Sequence, residues 1–202
     1  MTHTRRALCF PVAVQKHRQI DSGRFSCVVS DANRLYATRY DSNEVRMYSY
    51  NNSGSNGGGN SSWAKTSSFK VPTTGITECT VSVHNDEITC CLNGDHKIDV
   101  YTTRGHLLRS YGTKGCYESG ELYEPRVCDD DADGNALIVE WGNSRAQVLS
   151  GDGAAGGDGG EFRAVTLQPP AQGPCSAVLF DNCLYIAAAR LDQMLISKYS
   201  CD

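Results

Sequence analysis

Four segments of this chain repeat one pattern at a spacing near fifty residues, and that spacing constrains the fold more than any other feature. Leu35, Ile88, Ala136 and Leu184 each open an apolar stretch of strand-like composition, at intervals of 53, 48 and 48 residues. Each copy has the same order. An apolar stretch comes first (27–30, 79–83, 126–129, 176–179), then a turn, then the anchor stretch, then a third stretch about ten residues on (45–48, 98–101, 146–149, 194–199). The first three copies add an outer stretch at 63–71, 106–111 and 161–167. Several short strands within a repeat of this length mark the blade of a β-propeller. Alternation and Gly- or Asp-bearing turns argue for strands throughout, and no amphipathic helix of ordinary length is present.

The expectation is therefore an all-β propeller of about four blades, each of four antiparallel strands, forming a single domain over 1–202. The blades fall near 27–71, 79–111, 126–167 and 176–202. The last copy lacks an outer strand, whereas residues 7–14 form a strand without a blade. Pairing between them would lock the ring and remove an exposed edge.

A hydrophobic content of 40% in 202 residues supports one core, and a formal charge of −4 gives no general reason to expect nucleic acid or an anionic membrane as partner. The apolar run near the N-terminus is broken at Pro11 and ends at Lys16, too soon for a secretory segment, and nothing later approaches a membrane span. The ten cysteines include no CxxC pair that would suggest zinc, so they read as reduced thiols of a cytoplasmic protein. Cys27, Cys90 and Cys183 stand where small apolar residues belong in strands, and the consecutive Cys90 and Cys91 should point one inside and one outside. Sequons at Asn51 and Asn60 would matter only outside the cytosol.

Two segments match the spacing of chemical motifs but not their structural context. Asp129, Asp131, Asp133 and Glu140, with Gly134 between, carry oxygen ligands at the spacing of a calcium-binding EF-hand loop. The flanking segments are strands rather than helices, and positions beyond Gly134 would run along an extended strand, so a tight Asp-Gly turn is the better reading. Residues 151–156 spell G-x-G-x-x-G after a strand, but the GDGGEF that follows cannot begin a helix and its acids would repel a pyrophosphate. No G-x-S-x-G is present, and a thiol–imidazole pair from His84 or His96 with Cys90 or Cys91 requires an assumed contact; a turn histidine is more simply a solvated one. The reading is non-enzymatic, without a cofactor and without a small-molecule substrate.

The segment from Tyr111 to Val148 resembles an NHL repeat through Gly112, Gly115, the run from Gly120 to Pro125, Asp133-Gly134-Asn135, the strand 136–140, Asn143, Arg145, Gln147 and Val148. NHL propellers of the tripartite-motif type usually have about six blades. The resemblance thus implies either a small closed ring of four or the C-terminal part of a larger propeller, and the second is favoured because an open stack leaves apolar faces that further blades would cover. In such proteins a RING finger and B-boxes confer ubiquitin-ligase activity, and neither module occurs in these residues. Glu140 and Arg145 match the acid and base of the family's turn, and Arg39 and Glu44 stand at the same offsets in the first blade with the charges exchanged. As an exposed pair, Glu140–Arg145 would orient its turn more than stabilise it.

Together these readings point to an interaction module that binds a protein partner through turns 31–34, 85–87, 129–134 and 181–183, with no membrane partner. By the resemblance, it would recognise substrates for a RING-type ligase. The alternative is an RNA-binding propeller with Arg39, Arg104, Arg109, Arg126 and Arg190 as contacts. The net acidity and the Asp129–Asp133 loop argue against that alternative.

Overall fold

Strands β1 (Phe25–Asp31), β2 (Arg34–Arg39), β3 (Glu44–Asn51) and β4 (Ser62–Lys70) form an antiparallel meander in which each pairs with the next. The same meander recurs with β5 (Cys79–His84), β6 (Glu87–Leu92), β7 (Lys97–Thr102) and β8 (Leu107–Tyr111). After a short parallel pair, β9 (Thr113–Lys114) with β10 (Glu121–Leu122), a third meander follows: β11 (Pro125–Asp130), β12 (Ala136–Glu140), β13 (Arg145–Leu149) and β14 (Phe162–Val165). A fourth contains β15 (Pro174–Phe180), β16 (Cys183–Arg190) and β17 (Gln193–Ser200). This computed structural model describes residues 20–31, 33–40, 42–51, 62–74, 79–115, 121–131, 133–150, 162–165, 167, 172–181, 183–190 and 193–200. The four sheets are arranged as four propeller blades, with no helix among the described residues.

Short turn chemistry sets the meanders. Asn85 and Asp86 both have positive φ, 47° and 64°, which makes the β5–β6 connection a two-residue hairpin whose twist matches that of its strands. Gly134 reaches the same left-handed region, at 82°, in the turn between β11 and β12.

Successive blades stack face to face, so most strands are covered on both sides. Tyr36, Val45 and Met47 of the first blade pack on Val81, Ile88, Cys90 and Leu92 of the second. Cys91 and Ile98 on the second blade's other face meet Val127, Ile138 and Leu149 of the third. Leu137, Val139 and Ala146 then meet Ala177, Leu184 and Ile186 of the fourth. Each such aliphatic side chain contributes roughly 1.5–3 kcal/mol when fully buried. This layering corrects the expectation for the cysteine pair: Cys90 and Cys91 point to opposite faces, yet both are fully buried, because both faces of a sandwiched blade are interior. Burial raises both thiols well above the ordinary cysteine range.

The first strands of the blades lie side by side, β1 against β5, β5 against β11 and β11 against β15, and thus surround the propeller axis. Among the described residues the first and fourth blades do not pack in this way, so the four sheets form an open arc. The expected closing strand, 7–14, lies outside the described residues. The parallel β9–β10 pair departs from the wholly antiparallel expectation; it ties the linker between the second and third blades back onto itself.

Candidate functional site

Antiparallel succession sends the β1–β2, β5–β6, β11–β12 and β15–β16 turns to one rim of the axis and the β2–β3, β6–β7, β12–β13 and β16–β17 turns to the other. At the first rim the ends of β1, β5 and β11 enclose a cavity of about 380 Å³, lined by Val29, Ser30, Asp31, Ser82, Val83, Cys128, Asp129 and Asp130. A second cavity of about 210 Å³ opens between blades two and three, where His84, Glu87, Arg109, Asp130, Asp133 and Gly134 contribute. Asp130 belongs to both and accepts a hydrogen bond from the Ser82 hydroxyl at 2.9 Å.

The rim is acidic. Asp31, Asp86, Glu87, Asp129, Asp130, Asp131 and Asp133 gather there, with Arg34 and Arg109 as cationic neighbours. Arg34 spans the first two blades, donating to Asp31 and, at 2.5 Å, to Asp86. Those bonds, Asp86 first, hold its guanidinium above its ordinary range. Arg109 donates to Glu87 at the mouth of the smaller cavity. Asp129 and Asp131 accept from backbone amides. Asp129 accepts from the Asp130 amide at 3.0 Å and from the Leu179 amide at 3.4 Å, the latter bond crossing to the fourth blade. Asp131 accepts from the amides of Asp133 and Asn135, each at 2.9 Å, and from the Asn135 side chain at 2.7 Å. This is an Asx-type turn, with the side chain standing in for a backbone acceptor.

The EF-hand spacing is consequently not brought together as a coordination sphere. Glu140 sits at the far end of β12, a strand whose residues rise about 3.3 Å each, beneath the opposite rim. Among the described residues no group of three or more His, Cys, Asp or Glu is placed to hold a metal ion.

Glu140 has a different task. It is completely buried, and its carboxylate accepts from Arg145 Nε at 2.7 Å, Gln147 Nε2 at 2.6 Å, Asn143 Nδ2 at 2.5 Å and the Tyr123 amide at 2.9 Å. Arg145 and Gln147 also donate to the Glu121 carbonyl, at 2.5 and 3.2 Å, and Asn143 donates to the Gly115 carbonyl at 3.1 Å. The pair expected to be exposed is therefore the centre of a buried polar knot that fastens the β9–β10 linker to the third blade. In the first blade, Glu44 accepts instead from Arg46 at 2.9 Å and Lys65 at 3.2 Å.

The five arginines proposed for RNA divide between the two rims. Arg104 lies exposed in the β7–β8 turn and Arg109 is engaged with Glu87, both on the acidic side. Arg39 ends β2, Arg126 is the second residue of β11 and Arg190 ends β16, all on the other side, and the Arg190 side chain lies outside the described residues. His96 is not the solvated turn residue anticipated. Its ring stacks on Tyr123 with centroids 4.9 Å apart, and its Nδ1 accepts from the Glu124 amide at 3.1 Å, linking the second blade to the third. Burial and then Lys114 lower its proton affinity. The sequence gives no local sign that Ser82 and Asp130 are partners, because they lie on neighbouring blades and no motif connects them. The repeat offers the one usable signal, since the last residues of equivalent inner strands must converge.

No family profile matches the chain, and no curated protein sequence matches it. Solved structures share the fold. The virginiamycin B lyase of Staphylococcus aureus superposes with a TM-score of 0.57 at 17% identity over 88% of this chain and 55% of its own. A streptogramin B lyase structure gives 0.59 at 18% identity, covering 90% of this chain and 56% of that one. A protein from Lactobacillus plantarum gives 0.53 at 13%, covering 87% and 55%. The chain thus spans just over half the length of these structures.

Proposed function

We propose that this propeller is a non-enzymatic interaction module that binds a basic segment of a protein partner across its acidic axial mouth. The observation that carries the reading is the convergence of Asp31 of the first blade with Asp129 and Asp130 of the third on one cavity, with Asp86, Asp131 and Asp133 on the surrounding rim. Such a surface attracts lysine- and arginine-rich chains and speeds their encounter. The resemblance of the third blade to an NHL repeat extends the proposal to substrate selection for a RING-type ligase, with ubiquitin transfer falling to another module; that step is analogy. RNA binding is the competing reading, and the rim's sign opposes it.

The test is a binding titration of the chain with a lysine/arginine-rich peptide and, separately, with single-stranded RNA, each at low and high salt. The peptide is expected to bind, to weaken as salt rises, and to lose at least about tenfold in affinity when Asp129 and Asp130 are both changed to Asn. Binding of RNA but not peptide, or peptide binding unaffected by Asp129→Asn/Asp130→Asn, would overturn the proposal.

A further inference from the structure

The two end blades present opposite halves of one contact that the chain already makes three times. On the face that each blade turns toward its successor, Val45, Ile98, Ala146 and Ile196 occupy the same register position, each opposite the third residue of the strand pairing: Thr38, Cys91, Val139 and Ala187. Val45, Ile98 and Ala146 are 0% exposed; Ile196 is 75% exposed. Tyr185 stands likewise where Tyr36 and Leu137 are buried. On the face turned toward the predecessor, Val28, Val81, Val127 and Ala177 are equivalent, each pairing with the anchor's second neighbour. The last three are 1%, 4% and 6% exposed, whereas Val28 is 59% exposed.

Around Ile196 lies an apolar depression of about 150 Å³ with Val178, Tyr185 and Ala187; around Val28 lies one of about 230 Å³ with Phe25, Leu35 and Ala37. Contiguous apolar faces of this kind mark interaction surfaces. What covers them is indicated by the molecule itself: every successor face in the chain is covered by a predecessor face. Among the described residues the two open faces lie at opposite ends of the arc and do not pack on each other.

We propose that two copies of this chain associate head to tail, the fourth blade of each packing on the first blade of the other. Each arc spans 55–56% of the length of the lyase structures that share its fold, so two arcs supply about one ring. A heterologous contact made twice around a two-fold axis closes and leaves no free face.

The experiment is the native mass of the chain by light scattering at concentrations up to about 100 µM, for the wild type, Val28→Asp, Ile196→Asp and an equal mixture of the two variants. Both positions are exposed in the single chain, and circular dichroism checks that the variants keep their β fold. Wild type at about twice 21.9 kDa, each variant alone at 21.9 kDa, and a two-chain species restored in the mixture are expected, because the mixture keeps one intact Val28–Ile196 junction. A monomeric wild type, a dimer indifferent to either substitution, larger open assemblies, or a mixture that stays monomeric would overturn the proposal.

Discussion

Replacing Glu140 with Ala should be among the most damaging single changes to this fold, and its size can be worked from the contacts. The carboxylate is wholly buried and accepts from Arg145, Gln147, Asn143 and the Tyr123 amide. Its removal leaves the Arg145 guanidinium without its Nε partner, the Gln147 and Asn143 amides short of one bond each, and a backbone N–H unmatched. Breaking a buried ion pair from one side costs about 3–5 kcal/mol. For a chain of this size each kcal/mol lowers the melting temperature by about 2–4 °C, so the expected loss is about 6–20 °C. Thermal unfolding followed by circular dichroism measures it. Asp86→Asn is the matched control: it removes the Arg34–Asp86 pair, in which Asp86 is 69% exposed, and should cost under about 1 kcal/mol. Glu140→Gln should fall between the two, because the shape and one acceptor survive. A loss in Glu140→Ala no greater than in Asp86→Asn would refute the claim that the knot holds the third blade to its linker.

Three further outcomes are expected. Asp21, bonded first by Tyr48 and then by Arg46, is held at about 2 against an ordinary 3.8; Glu44, which burial alone would raise, is brought from 4.5 to about 2 by Ser68, Arg46 and Lys65. Since folding lowers both values, their stabilisation is fully present above about pH 4.5 and is lost as the pH falls toward 2; urea midpoints at pH 7, 5 and 3 should show the decline, and Arg46→Ala should flatten it. Cys79, Cys90 and Cys91 are buried, so a thiol reagent at neutral pH should leave them unmodified in the folded chain and label them in denaturant, as read by mass spectrometry of digests. Gly134→Ala should cost about 1–2 kcal/mol for its left-handed φ, with an added penalty because a Cβ would lie 2.7 Å from His84 Cδ2; His84→Ala in the same chain should remove only the added part, and thermal melts of the two variants separate them.

The blade repeat was legible because each copy must place its anchor strand between two neighbours, and that demand fixed similar apolar stretches at similar intervals. Leu35, Ile88, Ala136 and Leu184 all lie in the second strand of a blade, where the spacing put them. The fate of Asp129–Gly134 was legible too, since strand composition on both sides left room only for a turn. The burial of Glu140 was not legible: it depends on β9 and β10 folding back over the third blade, and two-residue strands leave no period to read. The contacts of His96 depend on the same linker, through Tyr123 and Glu124, and Cys91 was misplaced for a related reason. Local alternation says which side a residue faces, but only the stacking of blades says that both sides are interior. The axial mouth was half legible: the repeat puts the turns 31–34, 85–87 and 129–134 at equivalent ends of their blades, while Ser82 and Asp130 meet only through the register of two different sheets.

The open arc has a consequence for the order in which the molecule comes apart. In a linear array where each unit is held mainly by its neighbours, stability follows a one-dimensional Ising scheme, and end units with a single neighbour open first. Among the described residues the fourth blade has one neighbour and three strands, so its amides should exchange with deuterium well ahead of those in β6, β7 and β12. The smaller cavity of the acidic mouth lies between the second and third blades, the two positions flanked on both sides. Its geometry should therefore persist through excursions in which the last blade peels away, and such fraying would alter the availability of the end face while leaving that cavity in place.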